Sequence, residues 1–272
     1  MNAPHSFHLG PHICVDAVSK TFETGGRLVT ALQDIHLDIP RGQFTCLLGP
    51  SGCGKSTLLN AVAGFSLPSS GSIAVDGRNV AAPGPDRGMV FQEYALFPWM
   101  TVEDNIAFGL YVKGMSKPEI RERVGGLLHM LSLLEFRQRF PKDLSGGMRQ
   151  RVAIARVLAL DSPIMLMDEP FGALDALTRR NLQDELLRIW SDLKKTILFV
   201  THSIEEAIYL ADRIVVMTYR PGTIKRDLPV LLPRLRDPAS LEFNALKREL
   251  GGLVMEEQQR HQADEVRVAA VD

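Results

Sequence analysis

A glycine-rich segment at residues 49–57 has the residue types and the spacing needed to bind phosphate. It satisfies the pattern Gly-x4-Gly-Lys-Ser/Thr. Glycines let backbone N–H groups approach phosphate oxygens, and the N-terminus of a following helix adds partial positive charge. We expect Lys55 to hold the β- and γ-phosphates and Ser56 to ligate Mg²⁺. The loop residues predicted to contact a nucleotide are Gly49, Pro50, Ser51, Gly52, Cys53, Gly54, Lys55, Ser56 and Thr57.

The same segment has a simpler interpretation, a glycine-rich turn that carries Lys and Ser by chance. Its position between a predicted strand and a predicted helix argues against this, because strand, loop and helix follow in the order that a phosphate site requires. Cys53 lies inside the loop. We interpret it as a small side chain that fits a tight turn rather than as a redox group.

Two adjacent acids, Asp168 and Glu169, follow the apolar segment 164–167. Ligands bind open α/β sheets at the carboxyl ends of the strands, and successive strand residues point to opposite sides. The two acids can therefore serve different tasks, Asp168 in the Mg²⁺ shell and Glu169 as the general base for an attacking water. In isolation, a solvated Asp-Glu turn explains the pair better; beside a phosphate loop, the catalytic interpretation is favoured.

The pattern of apolar and turn residues predicts an α/β fold. A β-hairpin is expected over residues 13–39, and a helical insertion over 102–160. Further strands are predicted at 43–48, 72–76, 88–92, 164–168, 196–201 and 213–218. Helices are predicted at 57–64, 175–193, 203–211, and from 240 to 250 or beyond, with the last ten residues mobile.

Composition narrows the class of protein. The 272 residues are 45% hydrophobic and 23% charged with a formal net charge of −1, so no basic surface is expected to draw the chain to nucleic acid or lipid. Cys14, Cys46 and Cys53 suit neither a disulfide framework nor a zinc site. No signal peptide and no membrane span are predicted. A reducing cytoplasm fits this composition best.

A second glycine-containing segment carries a resemblance to a known family. Residues 144–150 read Leu-Ser-Gly-Gly-Met-Arg-Gln and stand between the phosphate loop and the Asp168-Glu169 pair. The segment resembles the signature motif of ATP-binding cassette ATPases. Alone it would be a Ser-capped helix start; as an N-terminus with exposed backbone it offers a second anion cradle, formed by Ser145, Gly146 and Gly147. Met148 replaces the Gln that is more usual in the superfamily, as in one importer branch.

The resemblance extends over residues 22–222 and implies roles for further residues. Gln92 matches the glutamine between catalytic core and helical subdomain, where it would contact Mg²⁺ and the attacking water, and His202 matches the switch histidine that contacts the γ-phosphate. Phe22 matches the aromatic that stacks on adenine, and Asp175 belongs to the matching dimer-contact loop. Read alone, the first three would be a solvated amide, a structural histidine and a core aromatic. The catalytic set expected is Glu169, His202, Lys55 and Gln92, and the metal set Ser56, Gln92 and Asp168.

The resemblance also implies an architecture. The implied architecture is that of a P-loop NTPase, with a RecA-like core sheet, an antiparallel β subdomain and an inserted helical subdomain at about 93–160. The ATPase domain would span residues 12–233, and residues 234–272 would form a partly helical C-terminal extension. Because one ATP needs only one anion cradle, the family's head-to-tail dimer would sandwich each ATP between the phosphate loop of one copy and the signature of the other. Hydrolysis would then open the dimer.

Three segments, residues 90–105, 168–178 and 201–207, are similar to the nitrate, sulfonate and taurine importer branch. This implies a peripheral ATPase on the inner face of the cell membrane. It would bind permease subunits and would depend indirectly on a solute-binding protein. Phe97 and Trp99 would lie near the permease groove, or would merely fill the helical core. The alternatives are a soluble cassette ATPase acting on nucleic acid or ribosomes, and a P-loop kinase. The lack of a basic stripe and of sustained heptads disfavours the former, and the signature disfavours the latter.

Overall fold

The computed structural model describes residues 10–269. In chain order their strands and helices are β1 (Ile13–Thr24), β2 (Arg27–Ile39), β3 (Phe44–Leu48), α1 (Lys55–Ala63), β4 (Ser70–Val75), β5 (Arg78–Asn79), β6 (Arg87–Val90), α2 (Val102–Val112), α3 (Lys117–Met130), α4 (Gly146–Ala159), β7 (Ile164–Asp168), α5 (Ala176–Leu193), β8 (Thr196–Thr201), α6 (Ile204–Leu210), β9 (Arg213–Met217), β10 (Ile224–Pro229) and α7 (Leu241–Ala269). Short 3₁₀ turns lie at Leu134–Phe136 and Pro141–Asp143. None of the helices described is both long and apolar enough to cross a membrane.

The main sheet has six strands in the order β10-β9-β3-β8-β7-β6. Strands β9, β3, β8, β7 and β6 are parallel, and β10 pairs antiparallel at one edge. Strands β3 and β8 are buried at every residue, as expected for parallel strands covered on both faces. The carboxyl ends of the parallel strands meet at one edge of the sheet. The phosphate loop follows β3 at this edge, and the acidic pair lies at the end of β7.

The two faces of this sheet have separate apolar cores. Leu47 points into a core shared with α1 and the antiparallel sheet β2-β1-β4-β5, whereas Cys46 and Leu48 point into the core formed with helices α2 to α7. This alternation follows from the two-residue period of a strand. The antiparallel sheet begins with the β1–β2 hairpin, whose turn has Gly25 and Gly26 at positive φ.

The helical insertion packs on the second face of the sheet. Three helices, α2, α3 and α4, form it, with a buried Asn105 whose amide nitrogen donates to the carbonyls of Phe97, Met100 and Thr101. The α/β core, the hairpin and the inserted helices are as predicted from the sequence.

Strand β10 (Ile224–Pro229) differs from expectation. It was not predicted, because its three consecutive charged residues and terminal proline resemble a loop; it is stable as an edge strand paired with β9. Helix α7 extends to Ala269, in keeping with the expected helix to residue 250 or beyond, and the mobility of the last ten residues stays a prediction. Residues 270–272 lie outside the described range. Phe243, Leu250 and Val254 of α7 belong to the main core; the domain boundary at 233–234 stays a prediction.

Candidate functional site

The phosphate loop connects β3 to α1 and has the geometry expected of its glycines. Gly52 and Gly54 have φ of 76° and 93°, in the left-handed region that favours glycine. A Cβ on Gly54 would lie 2.6 Å from Leu32 Cδ2 and 2.9 Å from the carbonyl oxygen of Ala31. A side chain at Gly54 is therefore excluded both by the backbone conformation and by the close approach of β2.

Lys55 is held beneath this loop. The residue is only 4% exposed, and its Nζ donates to the carbonyl oxygens of Gly49 (2.8 Å) and Pro50 (2.7 Å). Nζ also lies 3.7 Å from Cys53 Sγ. Burial raises the pKa of the Cys53 thiol, which keeps the thiol protonated and supports the interpretation of Cys53 as a packing residue. The loop curls around a single ammonium group at the start of α1.

Ser56 and Asp168 meet across the sheet edge. Ser56 Oγ donates to Asp168 Oδ1 at 2.8 Å, which joins the first turn of α1 to the end of β7. Burial raises the pKa of Asp168, and the neighbouring Glu169 adds to this, while the Ser56 hydrogen bond and Lys55 oppose it. A hydroxyl and a carboxylate side by side form a hard-oxygen donor pair that fits Mg²⁺, which takes few protein ligands when phosphates and waters supply the rest. Within residues 10–269 no cluster of three or more His, Cys, Asp or Glu could hold a metal by itself.

Glu169 and His202 form a second polar pair at the same edge. His202 follows β8, Glu169 follows β7, and His202 Nδ1 lies 2.9 Å from Glu169 Oε2. Glu169 has φ of 42°, a conformation fixed by the hydrogen bond from its N–H to the carbonyl oxygen of Val200 (3.0 Å). Non-glycine residues in this region of φ carry backbone strain, which is concentrated at functional sites. Glu169 also lines the same cleft as the phosphate loop.

A cleft of about 480 Å³ is lined by one member of each pair, Ser56 and Glu169, whereas Asp168 and His202 are absent from its lining. Its mouth is formed by Phe22, 40% exposed, whose ring lies 5.1 Å from Lys20 Nζ and offers a flat apolar face to a base. The cleft is lined by Phe22, Val29, Ala31, Ser51, Gly52, Gly54, Lys55, Ser56, Thr57, Glu169 and Arg220. The structure therefore brings together the predicted phosphate loop, the stacking aromatic and the general base.

Sequence reasoning missed Arg220 in this lining. The residue follows β9, which is paired in parallel with β3, so it reaches the same edge as the phosphate loop. A cation just past the end of a predicted parallel strand was the signal that could have revealed it. The β2 residues Val29 and Ala31 carried no comparable signal, because only the tertiary fold places them beside the loop.

Some predicted residues lie apart from the cleft. Ser145, Gly146, Gly147 and Asp175 are absent from its lining. Ser145 caps α4 by accepting from the N–H of Met148 (3.3 Å), and Asp175 caps α5 by accepting from the N–H of Thr178 (3.0 Å). These two helix starts touch each other, because a Cβ on Gly147 would lie 2.6 Å from Thr178 Cγ2.

Gln92 also stands outside the cleft. It is exposed beyond the end of β6, at the same sheet edge as Asp168, because Val90 pairs with Met167. In the described part of the chain it makes no hydrogen bond to Asp168 or Glu169, so its assignment to the metal and catalytic sets stays a prediction.

Comparison with known proteins identifies the family. Residues 32–172 match the ABC transporter model, a span that begins in β2 and contains the phosphate loop, the signature turn and the Asp168-Glu169 pair. The chain belongs to the ABC transporter family. The ABC cassette thus accounts for the P-loop fold, and the predicted recognition and fold class are confirmed.

Two relatives of this ABC cassette illustrate the likeness. An uncharacterized ABC transporter ATP-binding protein of Methanocaldococcus jannaschii is 49% identical over 243 residues, covering 89% of this chain and 91% of the relative. The nitrate import ATP-binding protein NrtD of Synechocystis sp. is 46% identical over 238 residues, covering 88% and 90%. ATP-binding subunits of this kind are ATPases, which agrees with the predicted enzyme class.

A solved structure shows the same fold. The ATP-binding cassette MJ0796, described as a dimer in a post-hydrolysis state bound to ADP and Pi, superposes with a TM-score of 0.72 at 33% identity. The superposition covers 81% of this chain and all of that one. This likeness supports ATP binding by the ABC cassette and the formation of dimers within the family. The roles of individual residues remain proposals.

Proposed function

We propose that this chain is the ATP-hydrolysing subunit of an importer, and that two copies close head to tail around two ATP molecules. One observation carries the proposal: the chain has two anion cradles at helix N-termini, and only one of them lines the cleft. The second cradle, at Ser145, has no nucleotide site of its own to serve. A second copy turned by a two-fold axis supplies one.

The geometry supports a role for each residue. Ser56 and Asp168 would hold Mg²⁺, with Gln92 as a further ligand, and the bound ion would neutralise phosphate charge. Lys55 is placed to exchange loop carbonyls for phosphate oxygens. Glu169 accepts the proton of the attacking water, and His202, 2.9 Å away, keeps that carboxylate oriented.

The partner in the membrane is proposed to be a permease that carries nitrate, a sulfonate, taurine or a related solute. Support comes from relatives named for such transport: the nitrate import protein NrtD, and an aliphatic sulfonates import ATP-binding protein of Bacillus subtilis that is 43% identical. An apolar patch on the helical subdomain offers a docking surface, since Trp99 is 71% exposed and its ring lies 5.7 Å from that of Phe97, which lies 4.6 Å from that of Phe108. The solute itself would be selected by the permease and its solute-binding protein.

Co-purification with membrane proteins tests this function. Tagged protein would be expressed in its own host, the washed membranes solubilised, and the co-purifying proteins identified with and without ATP. We expect an integral membrane permease to co-purify, and Trp99→Ala to reduce its yield. Leu28→Ala, which removes an equally exposed apolar side chain from the β1–β2 hairpin, is the matched control. Recovery only with ribosomes or nucleic acid would contradict the proposal.

A further inference from the structure

A buried carboxylate links helix α7 to the core of the molecule. Glu257 is fully buried, and its two oxygens accept hydrogen bonds from different partners: Oε2 from the backbone N–H of Tyr219 (2.9 Å) and Oε1 from Lys225 Nζ (2.7 Å). Burial opposes ionisation, but these two hydrogen bonds and the positive charges of Lys225 and Arg260 together outweigh it and lower the pKa of Glu257. The residue is therefore a charged anchor point within the C-terminal extension.

Tyr219 connects helix α7 to the phosphate loop. Its ring, 8% exposed, has His261 of α7 on one side at a centroid distance of 4.5 Å. On the other side it contacts the phosphate loop, because a Cβ on Gly52 would lie 3.9 Å from Tyr219 Cε2. Helix α7 thus contacts the nucleotide loop through a single intervening residue.

The segment 219–222 is fixed from the other side as well. The N–H of Gly222 donates to the carbonyl oxygen of Ala31 (2.9 Å), and the N–H of Gln33 donates to that of Gly222 (3.0 Å). A Cβ on Gly222 would lie 2.2 Å from the carbonyl oxygen of Cys53. The segment is held between α7, β2 and the phosphate loop, so it has little freedom to move independently of them.

Arg220 projects from this fixed segment into the cleft. Its Nε makes a long hydrogen bond, 3.4 Å, to the carbonyl oxygen of Gly52. It is exposed and lines the cleft beside Lys55, and no carboxylate among the described side chains of residues 10–264 lies within ion-pair distance of it. A guanidinium held at the entrance to a phosphate loop, with donors left for a ligand, is suited to bind an anion.

We propose that Arg220 binds the polyphosphate of the nucleotide, and that Glu257 of the C-terminal helix is a positioning residue that holds Arg220 in place through Tyr219. This rests on the proposed function, since it takes the cleft to be the ATP site. It assigns the C-terminal extension a role in nucleotide affinity. It also extends the nucleotide site beyond the family match, which ends at residue 172.

Equilibrium binding of ATP and of adenosine to the full chain tests the proposal. Arg220→Gln should weaken ATP binding by about tenfold or more, because a charge-assisted hydrogen bond to phosphate is lost, and should leave adenosine binding unchanged. Glu257→Ala should weaken ATP binding severalfold. Glu257→Gln keeps an acceptor for the Tyr219 N–H and should restore most of the affinity.

A matched control and a double-mutant cycle separate positioning from general destabilisation. Glu256→Gln removes the neighbouring carboxylate, which also pairs with Lys225 but does not contact Tyr219, and should leave ATP affinity unchanged. In the Arg220→Gln background, Glu257→Ala should have little further effect, because both act through one contact. Should Glu257→Ala fail to fold, Glu257→Asp, which shortens the side chain and draws the carboxylate away from the Tyr219 N–H, is used in its place.

The outcomes distinguish a failure of the proposed function from a failure of the roles proposed for Arg220 and Glu257. Wild-type protein that does not bind ATP would refute the proposed function. ATP binding that is lost in Lys55→Ala and unchanged in Arg220→Gln would overturn only the assignment of Arg220. An undiminished effect of Glu257→Ala in the Arg220→Gln background would overturn the positioning role.

Discussion

The two anion cradles of this chain are built from similar residues and have different surroundings. In the phosphate loop, Lys55 is buried beneath the backbone, and Phe22, Glu169 and Arg220 enclose a cleft around it. At the signature turn, the hydroxyl of Ser145 caps its own helix, and no cationic side chain takes part in the turn contacts described. One cradle is a complete site within one chain, and the other is an exposed helix N-terminus.

This difference between the two cradles indicates that they have different roles, one in binding by a single chain and one in association between chains. A complete site can bind ligand alone, whereas an exposed helix N-terminus contributes little until another surface brings an anion to it. Substitutions in the first cradle should therefore change binding by one chain. Substitutions in the second should change association between chains.

Replacing Glu169, the proposed general base, should produce the largest effect and leave both cradles intact. Glu169→Gln keeps the size of the side chain but removes its basicity, so ATP turnover should fall by about 10²- to 10⁴-fold. ATP should still bind, and a two-chain species should accumulate with ATP and Mg²⁺. Phosphate release and light scattering on the same sample measure the two effects. Unchanged turnover would remove Glu169 from its assigned role.

Lys55→Ala tests the completeness of the first cradle. It removes the only ammonium group that the loop carbonyls of Gly49 and Pro50 surround, so the dissociation constant for ATP should rise roughly 10- to 100-fold. Titration calorimetry on the monomer measures it. Lys113→Ala, which removes an exposed ammonium from the helical subdomain, is the control. Equal affinity in wild-type and Lys55→Ala protein would argue against the phosphate site.

The pH dependence of Mg²⁺ binding sharpens the same point. Because burial raises the pKa of Asp168, this carboxyl takes up a proton at higher pH than an ordinary aspartate. Protonation removes the charge that would hold Mg²⁺, so the gain in ATP affinity from Mg²⁺ should decline severalfold as pH falls through that raised pKa. Binding titrations at several pH values, with and without Mg²⁺, measure this gain. A gain that does not depend on pH, or one that persists in Asp168→Asn, would contradict the assignment.

Ser145→Ala tests the second cradle and should give the smallest effect. ATP affinity of the monomer should not change, whereas ATP-dependent association of the Glu169→Gln protein should weaken by a few-fold, since one donor per interface is lost. The lost cap should also reduce stability by about 1 kcal/mol. Thr101→Ala removes an equivalent cap from α2 and should cost similar stability without affecting association. Equal loss of association in both variants would indicate a folding effect.

The sequence predicted the site best where residues adjacent in the chain do the work. The phosphate loop and the Asp168-Glu169 pair are local motifs at strand ends, so a strand, loop and helix pattern was sufficient to place them. Arg220 was missed because its relation to Gly52 depends on β9 pairing with β3, which residues far apart in the chain determine. The end of α7 was left open because residues 251 and 252 are glycines, which are unfavourable within a helix unless the tertiary packing stabilises it.

The contact between Gly147 and Thr178 has a consequence for how two such sites could communicate. Only five residues separate Glu169 from Asp175, the cap of the helix on which Gly147 rests. In a head-to-tail pair, the signature turn would belong to one ATP site while the strand end of the same chain belongs to the other. Any shift of that short connection would therefore be felt at both nucleotides, and the two catalytic events could not proceed as independent reactions.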